Sequence, residues 1–435
     1  MSGRDEHEVH YASIEQADRA NKAFYEKFGS FPAPPRDWLV LDETTLVRDL
    51  LLQELGDWSH SRLPDGGRIW VAGCGASQAV EVALQFPRQH VLATDLSEVA
   101  LAFGAALAKN VGVTNLELKL ESIFDAPYES EFDLVVCRGV IHHTANPPLA
   151  LQKLARAMKP DGLLDLAVLN DGFSGWSHLV PFQKALRLLT GSDPDSPDFE
   201  LDVVVGKQLA VELEPSAAFI TKLQAAFPRV KLPPDLANVP PHYLASMLSE
   251  PNVQTFTVAS LDALFVGAGL ALLAPYSLEP FMNAAFAWDM ALASPELRAR
   301  YDALPQKARW QITNLLMPDQ PRVLRFYGQR LSSTHPVKND QQLCEEFLAR
   351  RFEKVATEAT VHVRSDDFDG TIVATRREAF PARPEDPALQ RVLDTHDERR
   401  PMGDAMHALG VSDFREVNAL RRHLTAPSHP FLRAL

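Results

Sequence analysis

Apolar and polar positions alternate along this chain in two different rhythms. Residues 11–28, YASIEQADRANKAFYEKF, follow a helical period with Tyr11, Ile14, Phe24 and Phe28 as the apolar positions. FPAPP at 31–35 breaks that pattern, and Thr44–Leu55 resumes it with Leu46, Leu50 and Leu51 on one side. From Ile69 the texture changes to short apolar runs separated by helical stretches. The pattern predicts strands at 69–72, 90–94, 116–120, 132–137 and 163–169, with helices at 76–86, 98–110 and 147–158. Runs 134–136 and 163–169 are almost wholly apolar, as in central strands covered on both faces. Such alternation implies right-handed crossovers and a parallel sheet layered by helices. KPDG at 159–162 reads as a stop and turn between the last helix and its strand.

After Asn170 the alternation dissolves. Residues 171–253 contain helical stretches at 181–189 and 210–227, interrupted by Pro215, Pro228, Pro233, Pro234, Pro240, Pro241 and Pro251. Large apolar residues persist throughout, so the segment reads as an inserted cap rather than a linker. The periodic pattern returns at 256–273, with a helix at 260–266, GAG as its C-cap and a strand at 270–273. Residues 322–331 predict one more strand. From Asp340 a helix (341–352), two strands (360–364 and 370–376) and short helices give the outline of a winged helix. The expected organisation is an N-terminal helical cap (1–60), a core (61–170 plus 254–332), an inserted lid (171–253) and a C-terminal accessory domain (340–435).

Composition narrows the partners. The chain is 46% hydrophobic and 23% charged, enough to bury a full core. Its net charge is −14, and the whole acidic excess lies before Arg350. An acidic body repels phosphate backbones, so no nucleic-acid substrate is expected. The last 86 residues carry 14 basic and 14 acidic side chains, which fits an accessory or homodimerisation module better than a DNA reader. No run approaches the ~20 apolar residues of a membrane span. The three cysteines form no C-x-x-C pair, and the polar N-terminus lacks a signal-peptide core. A cytoplasmic protein is expected, without membrane association.

The chemistry concentrates in residues 69–77, IWVAGCGAS. A strand ending in Gly73-Cys74-Gly75 before a helix lets a ligand approach backbone N–H groups closely. The next strand, HVLATDLS, ends in Asp95, about 20 residues later, where a carboxylate can accept hydrogen bonds from ribose hydroxyls. Ser97 suits the cap of the following helix, which leaves Asp95 for a ligand. A dinucleotide fingerprint requires G-x-G-x-x-G, and its third position here is Gln78. The pair therefore points to a nucleoside cofactor without pyrophosphate.

Residues 66–170 resemble the class I S-adenosylmethionine (SAM)-dependent methyltransferases. The resemblance rests on Val71–Ser77 (the glycine motif), Asp95, LESIFDAP (120–127), FDLVVCRGVIHHTANP (132–147) and KPDGLLDLAVL (159–169), in the family's order. It implies SAM as cofactor, held by Gly73, Cys74, Gly75, Ala76, Asp95, Leu96, Ser122, Ile123, Arg138 and Gly139. It implies a doubly wound, mostly parallel seven-stranded α/β sheet, with 260–273 and 322–331 supplying the final helix and strands. Three positions depart from the family pattern: Val71 replaces its first acid, Ser77 its third glycine, and Ser122 the acid that reads adenine.

Methyl transfer chiefly requires alignment, exclusion of water and sometimes a base. His142 and His143 follow the fourth strand, and either could serve as that base. They lack the spacing of a metal site, and none is expected. Acceptor contacts are expected from Asp171, Trp176 and His178 in a loop at 170–182, and from Tyr11 and Tyr25 on the first helix. The expected function is methyl transfer to a small molecule, such as a specialised metabolite. Two alternatives stand beside it: a protein or peptide methyltransferase whose C-terminal unit docks the partner, and a non-catalytic SAM-binding scaffold, motivated by Val71 and Ser77.

Overall fold

A computed structural model describes residues 13–28, 38–58, 60–172, 176–191, 198–213, 245, 250–275, 288, 290, 292–316, 323–364, 372–384, 386–427 and 430–435. Helix α1 (Ile14–Phe28), strand β1 (Trp38–Leu41) and α2 (Leu46–Glu54) precede the alternating region. That region runs β2 (Arg68–Ala72), α3 (Gln78–Gln85), β3 (His90–Asp95), α4 (Glu98–Val111), β4 (Leu116–Leu120), β5 (Phe132–Arg138), α5 (Pro147–Ala157) and β6 (Met158–Leu169). Then come α6 (Trp176–Thr190), α7 (Phe199–Leu213), α8 (Val258–Gly267), β7 (Leu270–Pro275), α9 (Pro295–Asp302), α10 (Gln306–Leu316) and β8 (Val323–Arg330). The C-terminal part holds α11 (Asp340–Ala349), β9 (Phe352–Lys354), β10 (Thr357–Arg364), β11 (Ile372–Phe380), α12 (Pro387–Thr395), α13 (Met402–Ala408), α14 (Phe414–Leu424) and β12 (Leu432–Ala434).

Seven strands form one sheet in the order β4-β3-β2-β5-β6-β8-β7. The pairs among β2 to β6 are parallel, whereas β8 runs antiparallel to both β6 and β7. This is the expected doubly wound, mostly parallel architecture. Strand periodicity explains its two-sided core. Trp70, Val135, Cys137, Leu164 and Leu166 pack on one face with Leu151 and Leu154 of α5 and Phe265 of α8. Ile69, Val71, Leu134, Val136 and Leu163 pack on the other with Leu51 and Leu52 of α2 and Val82 of α3.

KPDG is not a free turn before the strand but lies within β6. Phe132 pairs with Met158, and the next partners are Leu134 and Leu163, so extra residues of β6 bulge out. Lys159 Nζ, at 2.8 Å from Asp133, ties the bulge to β5. The insertion leaves and rejoins the core at adjacent points. Phe256 N–H donates to Leu169 O and Asp171 N–H to Phe256 O, both at 2.9 Å. The hairpin expected to sit with the C-terminal helices instead builds a three-stranded sheet with the N-terminal region, in the order β1-β10-β11. Ala359 and Phe380 are buried there against Leu41, Leu46 and Leu50. The C-terminal helices form their own core around Phe347, Phe352, Met402, Met406 and Leu424. Among the described residues no helix is long and apolar enough to cross a membrane.

Candidate active site

The sheet geometry opens a cavity of about 260 Å³ at the C-terminal ends of the parallel strands, where ligands bind in such folds. Its floor starts at the glycine turn. Beyond the β2–β3 ladder, the N–H groups of Gly73 and Cys74 both donate to Thr94 O, at 2.8 and 3.0 Å. Gly73 and Gly75 have φ of +68° and +54°, a region costly to other residues. A Cβ on Gly73 would come within 2.5 Å of the Val140 side chain. A Cβ on Gly75 would meet nothing within 4 Å, because that position faces open space. The first glycine thus lets the 139–140 loop approach, and the second leaves room for a ligand.

Ser97 caps α4 by accepting from Ala100 N–H at 3.1 Å. Asp95, however, is not left wholly for a ligand. Its Oδ2 accepts from Gly75 N–H at 2.8 Å and its Oδ1 from Ser97 N–H at 2.9 Å, so the carboxylate also pins the glycine turn. Burial raises its pKa above the usual carboxylate value, and the backbone donors only partly offset this. A carboxylate offers about four acceptor sites, so each oxygen keeps capacity for a further donor.

All ten residues expected to hold the cofactor line this one cavity: Gly73, Cys74, Gly75, Ala76, Asp95, Leu96, Ser122, Ile123, Arg138 and Gly139. Arg138 lies against buried Asp165, with Nε and Nη2 at 3.1 and 2.5 Å from Oδ2. Val71, which stands at the position of the family's first acid, is fully buried in the apolar layer beneath. The glycine opening, the Asp95 carboxylate and the enclosed wall fit an adenosyl cofactor that carries no phosphate.

The two histidines separate. His143 lines the cavity; His142 does not, and is buried beside it with ring centroids 4.1 Å apart. His143 Nδ1 is 2.6 Å from Asn252 O. A carbonyl only accepts, so Nδ1 carries a proton, and a neutral ring in this tautomer would keep its lone pair on Nε2. Nε2 lies 3.9 Å from Glu250 Oε1. Tyr25 also lines the cavity, its ring centroid 6.3 Å from that of His143. Asp171 is not in the wall. It accepts from Thr255 Oγ1 at 2.8 Å and fastens the two ends of the insertion. The stretch expected as a loop at 170–182 turns helical at Trp176. The side chains of Trp176 and His178, and all of Tyr11, lie outside the described residues.

Several wall residues were not anticipated from the sequence: Asp18 and Asn21 on α1, Glu121 and Phe124 after β4, and Val140 and Thr144 after β5. Helix α1 lies over the cavity. Asn21 Nδ2 donates to His143 O at 2.7 Å, and Ser122 Oγ donates to Asp18 Oδ2 at 2.6 Å. On its other side, Phe24 and Phe28 pack on Phe199 and Val203 of α7. A face of Asp18, Asn21 and Tyr25 at i, i+3 and i+7 was the available signal.

Fold and site together define a class. Residues 70–166 match the family model described as a methyltransferase domain, and in fold and cofactor cavity this stretch is similar to the class I SAM-dependent methyltransferases. Among particular relatives, the chain is 24% identical over 288 residues to an uncharacterized protein of a Synechococcus species, covering 65% of each chain. It is 25% identical to the ubiquinone biosynthesis O-methyltransferase of Neisseria meningitidis, over 26% of this chain and 49% of that one. The chain thus spans about two thirds of the first relative's length and half of the second's. Among solved structures, PKMT2 from Rickettsia typhi in complex with AdoHcy superposes with a TM-score of 0.53 at 14% identity, covering 93% of this chain and 77% of that chain. That likeness extends the shared fold well beyond the domain that the family model matches.

Proposed function

We propose that this chain transfers a methyl group from SAM to a small molecule. Bound SAM supplies a methyl on a sulfonium, already activated for displacement. The glycine turn at 73–75 admits the cofactor, and Asp95 holds its ribose. Arg138, steadied by Asp165, contributes positive charge to the wall for the carboxylate of the cofactor's zwitterionic tail. His143 keeps Nε2 available to take a proton from the acceptor as it attacks. Helix α1 covers the cavity and excludes water, which strengthens these contacts. The observation that carries this reading is that one cavity is bounded by Gly75, Asp95 and His143 together. Its cover by α1 favours a small acceptor over a polypeptide.

The test is incubation of the purified protein with methyl-labelled SAM and, separately, a metabolite extract and a protein extract of its own cell. Label is expected in the low-molecular-mass fraction. Label confined to acid-precipitated protein would overturn the small-molecule assignment. Tight binding of S-adenosylhomocysteine with no transfer to either fraction would indicate a scaffold instead of an enzyme.

A further inference from the structure

The segment after β4 ends at Ser122, where the resembling family carries an acid. The Ser122 hydroxyl is already engaged. It accepts from Phe124 N–H at 3.2 Å and gives its single proton to Asp18 Oδ2 at 2.6 Å. Asp18 comes from α1, more than a hundred residues earlier in the chain, and its carboxylate reaches the same cavity wall. Asp18 Oδ1 has no donor among the described residues. The neighbouring acid in the wall, Glu121, already holds a partner on each oxygen: Tyr128 Oη donates to Oε1 at 2.6 Å, and Lys119 Nζ pairs with Oε2.

We infer that Asp18, held by Ser122, receives the exocyclic amine of the cofactor's adenine, so that α1 supplies from outside the sheet the acceptor that the β4 loop lacks. This rests on the SAM reading of the cavity. It also gives α1 a second task. The helix that closes the site and packs on the insertion through Phe24 and Phe28 senses the adenine ring directly. Ser122 acts as the positioning group, because its bond from Phe124 N–H fixes where its hydroxyl points.

The probes are S-adenosylhomocysteine and S-inosylhomocysteine, whose rings carry at C6 an amine in one and an oxo group, with a proton on the adjacent N1, in the other. Calorimetry of the wild-type chain with both tests the site first: if neither binds, the SAM reading itself has failed. Given binding, wild type should prefer the amine ligand by about ten- to hundredfold, the scale of a hydrogen bond to a charged acceptor. Asp18→Ala should lose that preference, with weaker adenosyl binding and unchanged inosyl binding. Asp18→Asn preserves shape should the alanine variant fold poorly. Its amide N–H can donate to the oxo group, so its preference should shift toward the inosyl ligand. An unaltered ratio in both folded variants, or a preference abolished by Glu121→Gln instead, would overturn the assignment.

Discussion

Replacing Asp95 with alanine probes the ribose contact quantitatively. Asp95 accepts from Gly75 N–H at 2.8 Å and Ser97 N–H at 2.9 Å, which leaves one acceptor site on each oxygen for ligand hydroxyls. A hydrogen bond to a charged acceptor contributes about 1.5–3 kcal/mol. Two such bonds would double that, but burial already disfavours the ionised carboxylate, as its raised pKa records. The net loss should therefore be close to one bond, roughly ten- to 150-fold in Kd. Isothermal titration of S-adenosylhomocysteine into both proteins measures it. Thermal melts would confirm that the variant keeps its fold. If a folded Asp95→Ala protein bound within twofold of wild type, the carboxylate would not be gripping the sugar.

Further outcomes follow from other parts of the molecule. Arg138→Met removes the cation from the buried Asp165 carboxylate, whose side chain is only 2% exposed; breaking such a pair should cost about 3–5 kcal/mol, read as a lower urea midpoint, and a shift below about 1 kcal/mol would contradict it. Burial at the junction between α2 and α14 pushes Glu54 up to about 7, with Arg422 and Arg421 opposing that rise. The folded protein thus holds this proton more tightly than the unfolded chain, so stability declines as pH rises from about 4.5 to about 7 and is level above. Glu54→Gln should gain in melting temperature over wild type across that window and keep the advantage at pH 8 (about one unit past the upper end); a gap independent of pH would refute the assignment. His143→Gln should lower kcat by about 10²–10⁴-fold on the acceptor identified by the label while leaving S-adenosylhomocysteine affinity unchanged; His142→Gln, outside the cavity wall, should not reproduce that split.

The strands were legible because period-2 burial on two faces leaves near-continuous apolar runs, as in FDLVVCR, where six of seven residues are buried. The glycine turn and Asp95 were legible because their chemistry depends on neighbours close in sequence. KPDG misled because Lys159 and Met158 bond back to β5, a long-range pairing that turns a stop signal into a bulge. The second role of Asp95 was hidden for a related reason. Its bond to Gly75 spans 20 residues and depends on the crossover that brings β2 and β3 side by side. Asp18 and Asn21 are polar positions of an amphipathic helix, where the sequence pattern alone points to solvent. Only the placement of α1 over the cavity turns that polar stripe inward. His142 and His143 were indistinguishable in sequence, and the short helical turn at 141–143 aims them differently.

The most direct test of the account is a structure of the wild-type protein determined with S-adenosylhomocysteine. The account predicts the adenosine between Gly75 and the Ser122–Phe124 wall, with a ribose hydroxyl about 2.5–3.0 Å from an Asp95 oxygen and the homocysteine sulfur turned toward the His143 side of the cavity. A cavity that stays empty at saturating ligand, or a nucleoside bound elsewhere on the molecule, would contradict it.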